Sequence, residues 1–502
     1  MKTKSSLNLS ALAGTMAVSV MLAGCATGPD YDGPRPGDVC YVSTEELPVR
    51  SSPDGLAPTK SVKKYRDQVT VKSVYRAARQ FSGDKSLFPE SLIPCWVEID
   101  GGFVPVRTLV SENLINNQNP DERISNDGMI AAKRGFSEDE DGDMSSMRGA
   151  AGGGKFLATA DYTAVENLYL EQRKHKVTDI DIAAFIAEGA LAGNRVEATR
   201  LPIGEKSSFS KMMTGFAQDT SSALKGGSNS KDGQSSGGGL ASAALGTAAD
   251  LVYSESGPVQ AFQMGEAVAA KVLPAYERVL PQDDPRCAYI AKLANALAAA
   301  SNDPMPYRGL LVCLVETKEV NAFAIPGGFL IVTTGMLDFL NDEDELAAII
   351  GHEVGHLELN HGMKAVGTEK ILKLFSMLKE TATSSANTDD PLTRQMLGSL
   401  KEKIDEVFNK MFTSIRNGYG VEIESQADWR SLQLCDKLGY DTMALYNVLE
   451  RFKSVKGTYG GAGYPEERGA DILKYRREFA FGDEPAKGRS VRSERYRQIV
   501  GK

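Results

Sequence analysis

The sequence predicts a multidomain chain in which a mainly α, α+β domain with a small β-sheet is preceded by a small β-barrel. Three observations predict it. Residues 38–112 hold short runs in which Val, Thr and aromatic residues alternate with polar ones between Gly, Pro and Asp breaks, as in a small antiparallel barrel. From residue 257 onward the apolar spacing changes to three and four residues, the period of amphipathic helices, interrupted by two strand-like runs. Between them, 113–160 and 206–256 are too polar or too rich in Gly and Ser to pack. With 502 residues there is room for about three domains.

The first element is an export segment, 1–24. It opens with Lys2 and Lys4, continues in a mostly apolar run from Leu9, and leads to "LAGC" at 22–25. This resembles a bacterial lipobox, which implies cleavage before Cys25 and a lipid on that cysteine. Ala26, where Asp would retain the protein at the inner membrane, implies the outer membrane of a Gram-negative bacterium, with the body facing the periplasm. In an oxidising compartment cysteines are expected to pair where geometry allows. The simplest scheme joins Cys40 to Cys95 and Cys287 to Cys313, leaving Cys435 as a buried thiol. A net charge of −9, a pI near 5.3 and no basic stripe argue against a nucleic-acid partner.

Within 38–112 the order "LPVRSSP", "VTVKSV", "WVEIDGGFVPVRTL" resembles the bacterial SH3 (SH3b) domain. Trp96 and Phe103 stand where that family has its terminal aromatic strands, and an insertion over about 75–94 interrupts the match. The resemblance implies a ligand in peptidoglycan or in a protein segment; a plain spacer is the alternative. Residues 113–160, with the acidic run "SEDEDGD" at 137–143, read as a solvated linker, and 161–205 as a helical segment that docks without chemistry of its own. The Gly/Ser-rich linker 206–256 leads into the principal domain, 257–455, and 456–502 is a C-terminal extension.

Residues 259–300 read as two amphipathic helices, and 309–317 and 321–337 as strands with Pro326-Gly327-Gly328 as a turn. "NDEDELAAIIGHEVGHLELNHG" then reads as a helix of about twenty residues, with Asn341 or Asp342 as cap and acidic residues opposing the helix dipole in its first turn, closing at Gly362.

Three of the chain's four histidines lie in this helix. His352 and His356, four apart, differ by about 40° of rotation, so both imidazoles enter one cleft. Glu353, about 100° round from His352, stands beside a metal without binding it, where it can take a proton from water. This is the zinc hydrolase pattern H-E-x-x-H. His361, about 140° beyond His356 on a continuous helix, faces away and is expected to bond near the helix end. A carboxylate must complete the set. "VEIESQADWRSLQL" offers Glu424 and Asp428, four apart on a helix, one to bind metal and one to orient a ligand histidine, with Glu422 as fallback and a plain surface pair as the alternative.

Residues 258–455, through "VNAFAIPGGFLIVTTGML", "DEDELAAIIGHEVGHLELNHG" and "ESQADWRSLQL", resemble the gluzincin family that includes the CAAX prenyl endopeptidase and the bacterial HtpX and BepA proteases. The resemblance implies a zincin-type metallopeptidase fold and one Zn2+ per chain on His352, His356 and Glu424, with Glu353 as general base and Asp428 holding a ligand histidine. It implies a polypeptide substrate, chiefly misfolded envelope proteins. The alternative is an envelope chaperone, assembly factor or cell-wall-binding scaffold with latent proteolysis. Two departures stand out: the basic end "GRSVRSERYRQIV" at 488–500 has no counterpart of the family's histidine, and Trp429 separates Asp428 from Arg430. The strand at 329–333 is expected to hold an extended substrate by edge pairing. Helical material in 366–414 is expected to pack on the core, with a lid or membrane-contact role as the alternative.

Overall fold

The computed structural model describes residues 33–77, 95–116, 118, 120, 162–193, 198–201, 203, 257–301, 304–367, 406–407, 409–411, 413–415, 418–453, 465–479, 481 and 486–502. The export segment with Cys25, nearly all of the linkers at 113–160 and 206–256, and the run "EKILKLFSMLKE" lie outside the described residues. Among the described residues no helix is long and apolar enough to cross a membrane.

Period-two alternation builds the N-terminal unit. β1 (Val39–Val42), β4 (Gln68–Thr70) and β8 (Leu109–Val110) form one antiparallel sheet in the order β4-β1-β8. β2 (Glu46–Arg50), β3 (Thr59–Lys64), β5 (Ser73–Ala77), β6 (Cys95–Ile99), β7 (Gly102–Pro105) and β9 (Ala198–Arg200) form a second, in the order β3-β2-β7-β6-β5-β9. Val42, Leu47, Val49, Val97, Ile99 and Val104 point into one shared core. Gly102, at φ 154°, marks a close crossing: a Cβ there would stand 2.2 Å from the Arg50 carbonyl oxygen. Trp96 is buried, whereas Phe103 is half-buried with its ring edge-on to Tyr75 at 5.4 Å. The β unit expected at 38–112 is therefore present. Its sheet is completed by β9, whose three residues carried no strand signal, so the 161–205 segment is tied to it. A short helix, α1 (Glu112–Asn116), follows β8, while α2 (Tyr162–Lys174) and α3 (Asp179–Glu188) lie between the two units.

The C-terminal unit is a three-stranded sheet between helical layers. α4 (Pro258–Val272) and α5 (Pro285–Ala300) precede β10 (Leu311–Val315), β11 (Ala322–Ile325) and β12 (Phe329–Thr333), then α6 (Thr334–Phe339), α7 (Glu343–Glu358) and α8 (His361–Val366). Further along the chain come α9 (Val421–Leu438), α10 (Ala444–Phe452), α11 (Pro465–Glu478) and α12 (Arg489–Val500). The sheet order is β10-β12-β11, with β10 parallel and β11 antiparallel to β12. Residues 329–333 are thus the central strand, and the edges of the sheet are β10 and β11. The Pro326-Gly327-Gly328 turn folds β12 back along β11, and β10 takes the other side.

Alternation on these strands sorts the core. Val312, Leu314, Leu330 and Val332 meet α5, α7, α9 and α10 on one face. Leu311, Cys313, Ile331 and Phe323 meet α4 on the other, together with Val407 and Met411, so this part of 366–414 packs on the core, as does Ile415 just beyond it. Each such fully buried aliphatic side chain contributes roughly 1.5–3 kcal/mol. The same alternation corrects the disulfide scheme. Cys287 on α5 lies in the first layer and Cys313 on β10 faces the second, and both are buried free thiols. The pairing of Cys40 with Cys95 turns on the Cys95 side chain, which lies outside the described residues.

Two contacts fix α7. At its C-terminal half, Gly351 and Gly355 let α9 approach: a Cβ at Gly351 would lie 3.0 Å from Ser431 Oγ, and one at Gly355 3.1 Å from the Ala427 carbonyl oxygen. At its start, Asp342 is the cap, accepting from the Glu345 N–H. Arg492 makes a fully buried pair with Asp344, Arg495 pairs with Glu343, and Arg489 reaches Asp342 at 2.8 Å. The basic segment 488–500 therefore clamps the acidic first turn of α7, adding cations outside a helix start that already favours carboxylates. Ile472, Tyr475 and Tyr496 share the core of the first layer, so the packing runs past the boundary expected at 455.

Candidate metal centre

α7 ends four residues sooner than its sequence suggests. Its last helical residue is Glu358, Asn360 adopts the left-handed conformation (φ 56°), and α8 starts at His361. His352 and His356 remain on one face, as the helical period requires. The close approach of α9 brings Glu424 across from them.

Among the described residues, His352, His356 and Glu424 are the one cluster able to hold a metal ion, their ligand atoms lying within 4.8 Å of one another. His352 Nε2 is 3.0 Å from His356 Nε2 and 3.2 Å from Glu424 Oε2, and His356 Nε2 is 3.8 Å from the same oxygen. Ligands at 2.0–2.2 Å in a tetrahedron stand about 3.3 Å apart. All three side chains are buried, and Glu424 Oε2 has no hydrogen-bond partner. A buried carboxylate oxygen left without a hydrogen bond beside two imidazole nitrogens is the donor set zinc takes. The residues present fit the ion. Glu422, two positions earlier, is exposed and outside the cluster, and His175 is exposed beyond the end of α2.

Each donor has a partner behind it. Glu424 Oε1 accepts from the Tyr419 backbone N–H at 2.9 Å. His352 Nδ1 lies 2.8 Å from Asp428 Oδ1, close but off the line of a straight hydrogen bond. Asp428 in turn accepts from Arg468 Nε at 2.8 Å and Nη2 at 2.6 Å, and Arg468 Nη1 comes within 3.4 Å of Glu424 Oε2. His356 Nδ1 is 2.8 Å from His361 Nδ1. His361 was expected to face away. The left-handed Asn360 turns the chain so that its ring returns over His356, not as a ligand but against the nitrogen opposite the cluster.

Burial opposes charge on every group; the partners outweigh it at His352, Glu424 and Asp428, and burial prevails at His356, His361 and Glu353. Burial alone would lower His352, but the Asp428 and Glu424 carboxylates outweigh it and lift the pKa to about 9. Burial lowers His356 below its ordinary range and His361 to about 2. Burial would raise Glu424 and Asp428; the histidines and Arg468 outweigh it and hold both low. Burial raises Glu353 to about 7, with Ala324 of β11 supplying a backbone hydrogen bond. A buried carboxylate poised near neutrality is suited to moving protons.

Two neighbours of the cluster were not anticipated. Arg468 was missed because the family's C-terminal segment was matched to 488–500, past the stretch that holds it. The signal was present: Arg468, Ile472 and Tyr475 fall at i, i+4 and i+7 and all are buried, an arginine heading the apolar stripe of α11. Tyr419, whose ring centroid is 4.9 Å from that of His356, sits in a turn before α9 and carries no periodic signal.

Comparison with known proteins agrees with this geometry. Residues 285–481 match the family model described as Peptidase family M48, which includes Arg468. The chain is similar to Metalloprotease YcaL of Escherichia coli (strain K12), 28% identical over 34% of this chain and 59% of that protein. It is similar to Metalloprotease LoiP of the same organism, 26% identical over 41% of this chain and 77% of LoiP. To the Beta-barrel assembly-enhancing protease of Yersinia pestis it is 26% identical over 32% of each. This chain thus spans little more than half of YcaL and about a third of the Yersinia protease. The match to that family model falls on the C-terminal unit, the part that holds His352, His356 and Glu424.

Proposed function

We propose that this chain is a zinc-dependent endopeptidase of the bacterial envelope, with one zinc held by His352, His356 and Glu424 and Glu353 as general base. The observation that carries the reading is the convergence of His352 Nε2, His356 Nε2 and Glu424 Oε2 within 4.8 Å beside a buried Glu353. When bound, zinc supplies Lewis acidity, acidifying water and polarising a peptide carbonyl. Glu353, with a pKa lifted to about 7, takes the proton that water loses and delivers it to the departing amine. Asp428, anchored by Arg468, steadies the His352 ring.

The edge of β11 is the place for an extended substrate. Ala324 already bonds Glu353 through its backbone, so a segment pairing along Ala322–Ile325 lies beside the base. Pairing through main-chain groups favours unfolded segments and asks little of side chains. The lipobox-like "LAGC" supports lipid anchoring at Cys25 in the outer membrane, facing the periplasm. A relative named for assisting β-barrel assembly supports a role in quality control of misfolded envelope proteins. The N-terminal β unit, read as SH3b-like, would bind peptidoglycan or a protein segment.

Casein digestion by the purified chain tests the activity. Glu353→Gln is expected to keep its zinc and lose roughly 10²–10⁴-fold in rate. Unchanged digestion with zinc still bound would sink the assignment of the base.

A further inference from the structure

The protonated nitrogen of a histidine ring is chosen by what the other nitrogen touches. His352 and His356 are held in different ways. His352 turns Nδ1 to the ionised Asp428, 2.8 Å away. His356 has a neutral chain behind it: Nδ1 lies 2.8 Å from His361 Nδ1, and His361 Nε2 lies 3.3 Å from Gln426 Oε1. Both rings are buried, at 5% and 3% exposure, so water does not supply the missing donors and acceptors.

The hydrogens in this chain can be assigned by elimination. Two neutral imidazole nitrogens at 2.8 Å share one proton, one donating and the other accepting. The Gln426 oxygen can only accept, so His361 Nε2 carries a hydrogen. His361 Nδ1 therefore has a bare lone pair, and His356 Nδ1 donates to it. That leaves His356 Nε2 bare and directed at His352 Nε2 and Glu424 Oε2. Starting from the metal side gives the same answer. If Nε2 of His356 is to bind an ion, Nδ1 must hold the proton, and an acceptor must stand at the far end of His361.

We propose that His361 and Gln426 are positioning residues: they form a relay that locks His356 in its ligand tautomer, with Nε2 free, before an ion arrives. The inference rests on reading the cluster as a zinc site. It also explains why α7 breaks at Asn360, since a helix continuing through 361 would carry this ring away from His356. Gln426 sits on α9 between Glu424 and Asp428, so the helix that contributes a carboxylate ligand also fixes a histidine on the opposite helix. The Tyr419 ring packs against both imidazoles, with centroids at 4.9 and 6.1 Å, and limits their rotation.

The chain contains four histidines, so ¹⁵N-histidine labelling gives a spectrum simple enough to assign each ring nitrogen. In the zinc-free wild type, His356 is expected as the Nδ1–H form and His361 as the Nε2–H form. His361→Leu should return His356 to a mixture of tautomers and weaken zinc binding by roughly 10- to 100-fold. His361→Gln, whose carbonyl oxygen can accept from His356, should recover part of that loss. Gln426→Met should blur the His361 tautomer and weaken zinc less; being half-buried on α9, it remains informative if His361→Leu fails to fold. A wild-type chain with His361 protonated at Nδ1, or unchanged zinc affinity in both His361→Leu and Gln426→Met, would overturn the relay alone. A wild-type chain that binds no zinc would overturn the metal reading whatever the tautomers.

Discussion

Replacing Arg468 by Met removes a cation from a place where nothing else can substitute for it. Arg468 is 1% exposed and donates twice to Asp428, at 2.8 and 2.6 Å, while its third nitrogen lies 3.4 Å from Glu424. The substitution keeps an unbranched chain but leaves two buried carboxylates facing His352 without the guanidinium that shares their charge. Breaking a buried pair from one side costs about 3–5 kcal/mol. A further consequence follows for the metal. Asp428, no longer held low, takes up a proton and donates it to His352 Nδ1. His352 then carries its own hydrogen on Nε2 and cannot ligate, so zinc affinity is expected to fall by about 100-fold, the upper end for residues behind a ligand. The chain's two tryptophans make the assay direct, because Trp429 adjoins Asp428 and Trp96 lies in the β unit. In a Trp96→Phe background, fluorescence during urea unfolding reports the metal-bearing unit alone. Adding Asp428→Asn removes the orphaned charge and restores an acceptor for His352, so the double variant should regain both stability and zinc relative to Arg468→Met. If Arg468→Met unfolds within about 1 kcal/mol of wild type, the range of an exposed pair, and binds zinc equally well, the reasoning about Asp428 is wrong.

Four further outcomes are expected. Gly355→Ala places a methyl group 3.1 Å from the Ala427 carbonyl oxygen and Arg430 Cβ, which should force α7 and α9 apart, cost roughly 1–3 kcal/mol and lower zinc affinity; urea titration and zinc calorimetry would check it. His352 has its pKa raised from the ordinary 6.5 to about 9, so the zinc-free protein carries a proton there at pH 7.5 that zinc must displace. Calorimetry in buffers of different ionisation enthalpy should therefore detect about one proton released, with zinc affinity rising up to pH 9. A raised folded pKa contributes stability that is complete below 6.5 and lost through 9, so the zinc-free fold should weaken over that same window. Thiol mapping in denaturant without reductant should find Cys287 and Cys313 unpaired, and in the folded protein slow to react, since burial pushes both thiols up.

What the sequence made legible followed periodicity. The β unit, the α4–α5 pair and the ligand face of α7 all come from apolar spacing of two or of three and four, which local chemistry enforces. Spacing marked Glu424 and Asp428 as a pair on one helical face, because α9 keeps its period there, but only the family resemblance implied that Glu424 is the one to approach His352 and His356. What was hidden depended on single residues overriding the pattern. One left-handed residue, Asn360, reversed the expectation for His361 from a ring facing away to a ring behind His356. The sheet order could not be read either, since parallel pairing of β10 with β12 is decided by helices packing on both faces rather than by either strand. The basic segment 488–500, set against the family's C-terminal histidine segment, instead puts its arginines on the acidic first turn of α7, while Arg468, solitary within an apolar stripe, reaches the metal cluster.

The claim at the centre is that two helices meet across one ion, with Glu424 supplying the ligand that α7 lacks. Zinc content per chain, measured side by side for Glu424→Gln and for Glu422→Gln, addresses it with the smallest change in shape. Glu422 is exposed and two residues away, so its variant should retain one zinc like the wild type, while Glu424→Gln should retain none after dialysis. A Glu424→Gln chain that still holds stoichiometric zinc, or a Glu422→Gln chain that has lost it, would contradict the assignment.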